Sequence, residues 1–347
     1  MTQSLFERLI RAVIVLVGRL FYPRIVRIGQ LPDGPVVLAA NHPNGLLDGL
    51  ALILAIKRPL AFLAKSTFFA NPIMRLVLHA FGAVPIYRPG DVGKPGGPSA
   101  NSGSANTVTF AAAHVLLRQG GVLAVFPEGT PNPGPALSPL KTGVARIGLG
   151  AEAEYAWKLD LRVVPVGLWF EDQTRPGTAA VVLIGQPIVV AELREASQRH
   201  PEGAVRALTA QLQGELGAAV MAAQEAGEQL EQAQALGLGA ARAPGRGVGS
   251  ARQAVGVLLL ALGALPALVG HILALPGRAI AWVILQGLAR RHRATVGTAR
   301  LVALIIGLLA GWALLGLVLG SVYAWEWGLA VLIAGPLCGY IGLRMVH

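Results

Sequence analysis

Cysteine is almost missing from this chain: Cys338 is the single one, set in an apolar stretch. That excludes a fold held by internal disulfides and a cysteine-rich metal site. Charge is scarce too, with Asp, Glu, Lys and Arg forming 14% of the 347 residues against 54% apolar residues. A mean hydropathy of +0.57 is too apolar for an ordinary soluble enzyme, so part of the chain is expected in lipid. Acid is the scarcer sign, 18 residues against 29 basic ones, for a formal net charge of +11. Such an excess of base suits an anionic membrane surface or a phosphate-bearing substrate. Zinc-finger spacing and an aromatic-plus-basic RNA motif are both missing, so nucleic acid is not expected as a partner. No G-x-S-x-G elbow presents a nucleophilic serine, and no internal repeat stands out.

What the chain does contain is an alternation of short apolar runs with helical segments. Strands are expected at Val36–Ala40, Leu60–Lys65, Gly82–Ile86, Val122–Phe126 and Val163–Leu168, with closing strands near Val181–Gly185 and Ile188–Val190. Helices are expected after Gly45, over Pro72–Leu78, near 108–118, from Lys141, and over about 203–236. This predicts an α/β fold, a mixed sheet covered by helices, in a domain spanning 31–236. Residues 89–107 and the proline-rich 131–139 read as loops.

The flanks differ in kind. Residues 1–30 are expected to form an interfacial amphipathic helix, with Arg8, Arg11 and Arg19 on one arc and Leu5, Leu9, Leu16 and Leu20 away from it. The alternative is an ordinary surface helix packed on the domain. Residues 237–254 form a basic, glycine-rich linker, and 255–347 a membrane region. There, 255–277 is broken near Pro266 and reads as a re-entrant or surface hairpin, while 301–343 reads as a transmembrane pair. His271, with no acid near it, reads as a packing or interface residue. Three arginine-rich zones flank these runs, which places them, and the catalytic domain, on the cytoplasmic face.

Chemistry gathers where the first buried strand stops, at Asn41-His42-Pro43-Asn44-Gly45-Leu46-Leu47-Asp48. Pro and Asn mark a sharp turn there, and Asn44 or Gly45 caps a helix that carries Asp48 in its opening turn. Asp48 can then fold back on one ring nitrogen of His42 and leave the other to take a proton. Taken alone, the pair reads first as a loop histidine and a helix-start acid; the motifs downstream are what turn the reading toward chemistry. Lys65, Arg88 and Glu128 also end apolar strands, so one sheet edge is expected to carry all of them. Lys141 stands at a helix start that could help hold an anion. Each has a structural alternative: a surface, loop or helix-start cation for the bases, a cap for Glu128.

Four segments occur in order: Asn41-His42-x5-Asp48, Gly82-x-Val84-Pro85-Ile86-x-Arg88, Phe126-Pro127-Glu128-Gly129-Thr130 and Val164-Pro165-Val166-Gly167. Together they resemble the PlsC-type glycerolipid acyltransferases, over roughly residues 35–190. The family's commoner spacing is His-x4-Asp. The longer His-x5-Asp form here, with Leu140-Lys141-Thr142-Gly143, looks more like the branch acting on glycerol 3-phosphate or dihydroxyacetone phosphate. Pro131 stands where many members carry arginine, and Lys141 is expected to substitute for it.

The resemblance implies acyl transfer from acyl-CoA or acyl carrier protein to a hydroxyl of glycerol 3-phosphate or 1-acylglycerol 3-phosphate, with no other cofactor and no metal. It implies His42 as general base and Asp48 as its orienting carboxylate. Lys65, Arg88, Glu128, Gly129, Thr130 and Lys141 are expected to bind substrate, Glu128 through a glycerol hydroxyl or by orienting the neighbouring base. Backbone amides near Val166 and Gly167 are expected to serve the oxyanion. Membrane lipids are the expected surroundings. The rival readings are a lysophospholipid-remodelling or N-acyl-acceptor enzyme, and a non-catalytic lipid-binding scaffold.

Overall fold

The structure, a computed structural model, describes residues 14–236 apart from 16, 17, 20, 88–94, 96–104, 135 and 176. The chain divides into two compact units, Met1–Gln232 and Ala233–His347. The expected linker 237–254, the membrane region 255–347 and most of the expected interfacial helix lie outside the described residues, as does Arg88. Among the described residues no helix is long and apolar enough to cross a membrane.

The first unit is built on an eight-stranded mixed sheet. Its strands are β1 (Arg24–Ile28), β2 (Val36–Ala40), β3 (Leu60–Lys65), β4 (Val84–Ile86), β5 (Val122–Val125), β6 (Arg162–Phe170), β7 (Ala179–Ile184) and β8 (Ile188–Val189). The order is β1-β7-β6-β2-β5-β3-β4, with β8 beside β6. Strands β6, β2, β5, β3 and β4 run parallel, whereas β7 and β8 lie antiparallel to β6. The central β2 and β5 are buried at every position. Both of their faces are covered, so they read as unbroken apolar runs rather than alternating ones.

The described helices are α1 (Leu46–Ala55), α2 (Pro72–Ala80), α3 (Ala105–Arg118), α4 (Gly143–Glu154), α5 (Arg194–Arg199) and α6 (Pro201–Ala235), with a 3₁₀ turn at Ser66–Ala70. One face of the sheet packs Val37, Leu123 and Val163 against Ala145 and Ile147 of α4, Leu117 of α3 and Leu208, Leu212 and Leu216 of α6. The buried positions of α6 continue through Ala219, Ala223 and Gly227 in a single stripe. Small residues there let α6 close on β6. A Cβ on Gly167 would lie 2.1 Å from the main-chain oxygen of Ala219, and one on Gly227 2.2 Å from the Trp169 ring.

One expected boundary is corrected. The region 1–30 is not helix throughout, because Arg24–Ile28 forms β1, parallel to β7 at the sheet edge. Its Arg-Ile-Val-Arg-Ile pattern alternates charge with apolar residues, as a short half-exposed edge strand does. The end of the preceding segment packs into the domain: Phe21 and Tyr22 are buried, and Gly18 lies against Leu50 and Leu54 of α1.

Candidate active site

Parallel strands deliver their carboxyl ends to one edge, and the turns leaving that edge build the site. β2 ends at Ala40, and Asn41 extends its ladder with a side chain in place of main chain. Asn41 Nδ2 donates to the Leu168 carbonyl (3.1 Å), and the Leu168 N–H donates to Asn41 Oδ1 (2.7 Å). This leaves His42 just clear of the sheet. Gly45 then turns the chain into α1 at a φ of 63°, a conformation that favours glycine, and caps α1 without a side-chain bond.

Asn44 does not cap α1 with its side chain. Its Nδ2 donates to the Tyr22 hydroxyl (3.1 Å) and to the Gln173 carbonyl (2.8 Å). Its main-chain N–H donates to both oxygens of Asp48 (3.1 and 2.9 Å). Asp48 is fully buried in the first turn of α1, and His42 Nδ1 lies 2.7 Å from its Oδ2. With Nδ1 on the carboxylate, Nε2 is the free ring nitrogen. The His42 ring stacks on Phe126, centroids 4.2 Å apart and planes 13° from parallel. Burial pushes the Asp48 carboxyl up; the hydrogen bond and charge of His42 and the Asn44 amide oppose it, and the Glu128 charge adds to it. Burial, then the Asp48 charge, likewise push the Tyr22 hydroxyl up.

Glu128 leaves β5 after Pro127 and is buried. Its Oε1 accepts the His42 main-chain N–H (2.8 Å), while its Oε2 accepts Asn132 Nδ2 (3.2 Å) and the Ser138 N–H (3.0 Å). The Asn132 N–H returns to the His42 carbonyl (2.8 Å). Both carboxylate oxygens therefore brace the chain that carries His42. The Glu128 contact is with the main chain of His42 and not with its ring. Gly129 turns at a φ of 78°, and the Lys141 stem lies over it, with Cε 3.3 Å from where a Cβ would sit. The Lys141 N–H donates to the Pro127 carbonyl (2.8 Å). Thr130 is exposed in the same turn.

The structure thus joins His42, Asp48 and Glu128 directly and sets Gly129 and Lys141 beside them. Lys65 ends β3, opposite Ile86 of β4 and half-buried, on the same edge. Val166 and Gly167 lie inside β6 between β2 and β7, where main-chain groups go to the ladder, and Gly167 serves the approach of α6. Sequence reasoning passed over Asn132 and Ser138, hidden in a proline-rich loop, and Tyr22 and Gln173, which are remote in sequence. Asn44 was singled out, but as a cap. Among the described residues no cluster of three or more His, Cys, Asp or Glu could hold a metal ion.

A histidine–carboxylate pair at the carboxyl ends of the parallel strands of a mixed α/β sheet is an arrangement that can move a proton. Residues 23–169 match the family model described as Acyltransferase. A stretch of 85 residues is 39% identical to "Glycerol-3-phosphate O-acyltransferase 2" of Saccharomyces cerevisiae. That match covers 24% of this chain and 11% of the yeast protein, so this chain spans only a small part of that relative's length. Among solved structures, the 1-acyl-sn-glycerophosphate (LPA) acyltransferase PlsC of Thermotoga maritima aligns with a TM-score of 0.40 and 16% identity, over 67% of this chain and 85% of that one. The match over residues 23–169 and the yeast relative agree with the glycerolipid acyltransferase resemblance of the motif set.

Proposed function

We propose that this chain is a membrane-bound O-acyltransferase that moves a fatty acyl group from a thioester, acyl-CoA or acyl carrier protein, to a hydroxyl of a glycerophosphate. Glycerol 3-phosphate is the leading acceptor, favoured by the His-x5-Asp spacing and by the name of the yeast relative. The observation that carries the reading is the 2.7 Å contact of His42 with a buried Asp48.

A thioester is already activated, so the chemical need is a sharper alcohol nucleophile. His42 Nε2 takes the hydroxyl proton as the alkoxide oxygen bonds to the thioester carbonyl carbon. General-base assistance of this kind contributes about 10²–10⁴-fold. Asp48 holds the ring tautomer and stabilises the imidazolium. When the tetrahedral adduct collapses, the C–S bond breaks and the imidazolium returns its proton to the leaving thiolate. The products are an ester and a free thiol, with no acyl-enzyme. Glu128 holds the main chain of His42 in place. Lys141, Lys65 and Arg88 supply positive charge for the acceptor phosphate, and Thr130 offers it a hydroxyl.

The test is thioester consumption by membranes containing the full chain, with glycerol 3-phosphate, dihydroxyacetone phosphate or 1-acylglycerol 3-phosphate as acceptor. Turnover with a glycerophosphate that vanishes on His42→Ala is expected. Equal silence of wild type and variant with every acceptor would leave the non-catalytic scaffold. Turnover only with lysophospholipids or amines would favour the remodelling or N-acyl readings.

A further inference from the structure

Beyond the reacting groups, the rim of the site carries an unusual surface. Between Asp48 and Asp91 the sequence has no carboxylate. Lys57 and Arg58 precede β3 at the opposite edge of the sheet, which leaves Lys65, at the end of β3, and Arg75, on α2, as the described basic residues of that run toward the rim. Arg58 is spent on structure, its guanidinium donating to the carbonyls of Pro32, Gly34 and Gly120. Arg75 is exposed on α2. The 3₁₀ turn that follows Lys65 buries Ser66 and sets Phe69 edge-on against His79, centroids 5.9 Å apart. Leu78 and Phe81 anchor the far end of the segment in the core. Held at both ends, the turn directs Phe68 outward, 51% exposed. Leu46, the first residue of α1 and two positions before Asp48, is 38% exposed. Both residues follow the carboxyl ends of parallel strands that are separated only by β5. Those two strands lie roughly 10 Å apart, so both residues belong to the same edge of the sheet.

We infer that this rim, Phe68 and Leu46 with Arg75, is the surface on which the domain rests against an anionic bilayer. Large apolar side chains left in water beside charge of one sign suit the headgroup–acyl boundary of such a bilayer. Arg75, exposed beside these side chains and with no carboxylate in the run of sequence around it, complements anionic headgroups. The inference deepens the proposed function, because a mouth opening onto lipid admits an acyl chain without exposing it to water. It stands on exposure and charge, and its test reads position rather than turnover.

In the full chain with Cys338→Ser, an environment-sensitive fluorophore is placed at Phe68→Cys, Leu46→Cys or, as a control at the opposite edge of the sheet, Gln119→Cys. Each protein is reconstituted into vesicles of brominated phosphatidylcholine, with or without phosphatidylglycerol. Quenching several-fold stronger at 68 and 46 than at 119 is expected. It should be greater with phosphatidylglycerol and weakened by salt or by Arg75→Glu. Quenching at 68 no greater than at 119 overturns the inference, whether or not the enzyme turns over. Shielding of 68 from aqueous iodide that rises with protein concentration, without lipid quenching, overturns it in favour of a second copy. Strong quenching without acyl transfer to any acceptor keeps the bilayer surface and defeats the proposed function instead.

Discussion

Two histidines in this domain each meet a carboxylate at nearly the same distance. His42 Nδ1 lies 2.7 Å from Asp48 and His114 Nδ1 2.6 Å from Glu154. The histidine side chains are similarly covered, 15% and 11% exposed, but Asp48 is 0% exposed and Glu154 51%. The carboxyls consequently shift in opposite directions. Burial pushes Asp48 up, whereas the His114 hydrogen bond brings Glu154 down. The outward nitrogens differ as well. His114 Nε2 is buried without a partner, close against Gly150 of α4, so no substrate can reach it. His42 stands at the strand edge with its ring flat on Phe126. The two contacts are alike in distance but differ in the burial of the acid and in the confinement of the second ring nitrogen. The His114 pair joins α3 to the end of α4, and Arg118 over the Tyr155 ring, 5.1 Å from its centroid, makes a second link there.

Breaking the two pairs separates their roles most sharply. His42→Ala is expected to lower acyl transfer by about 10²–10⁴-fold, the usual range for losing a general base. His114→Ala, in the same thioester assay, is expected to leave turnover within a few-fold. Comparable losses from both would collapse the distinction.

Asp48→Asn should change both activity and the pH dependence of stability. An amide donating to His42 Nδ1 enforces the wrong tautomer, and a fall of roughly 10²–10⁴-fold is expected. The folded value of Asp48 is raised, so its contribution is fully present below the ordinary value of about 3.9 and fades as pH rises through the raised value. The variant's stability in urea unfolding is expected to depend less on pH than that of wild type. An unchanged pH dependence would contradict the burial argument.

Glu128→Gln turns one acceptor oxygen into a donor facing N–H groups already in place. A cost of about 1–3 kcal/mol in denaturant unfolding is expected, with reduced turnover. Unchanged stability would mean that Glu128 does not brace His42.

The smallest effect belongs to Glu154→Gln. With a lowered folded value, Glu154 contributes stability above the ordinary glutamate value of about 4.3, and that contribution is lost as pH falls through the lowered one. The variant's melting temperature should depend less on pH on the acid side, with turnover unchanged, since exposed pairs are worth little. An effect on turnover would show that the α3–α4 link reaches the site.

The sequence by itself determined the buried parallel strands, because two-sided burial demands unbroken apolar runs such as Val36–Ala40 and Val122–Val125. It also determined that His42 and Asp48 can meet, since one turn of chain separates them and the contact is local. β1 was missed, because the Arg-bearing Arg24–Ile28 becomes a strand only through pairing with β7, far along the chain. Only the tertiary structure decided what surrounds the pair. Asn41 reaches Leu168, Asn44 reaches Tyr22 and Gln173, and Glu128 closes on the main chain of His42, across separations no local pattern encodes. It also decided that His114 is walled off and that Gly167 serves helix packing. Burial and the reach of a free nitrogen are properties of the packed chain, and they exist only once distant segments have been brought together.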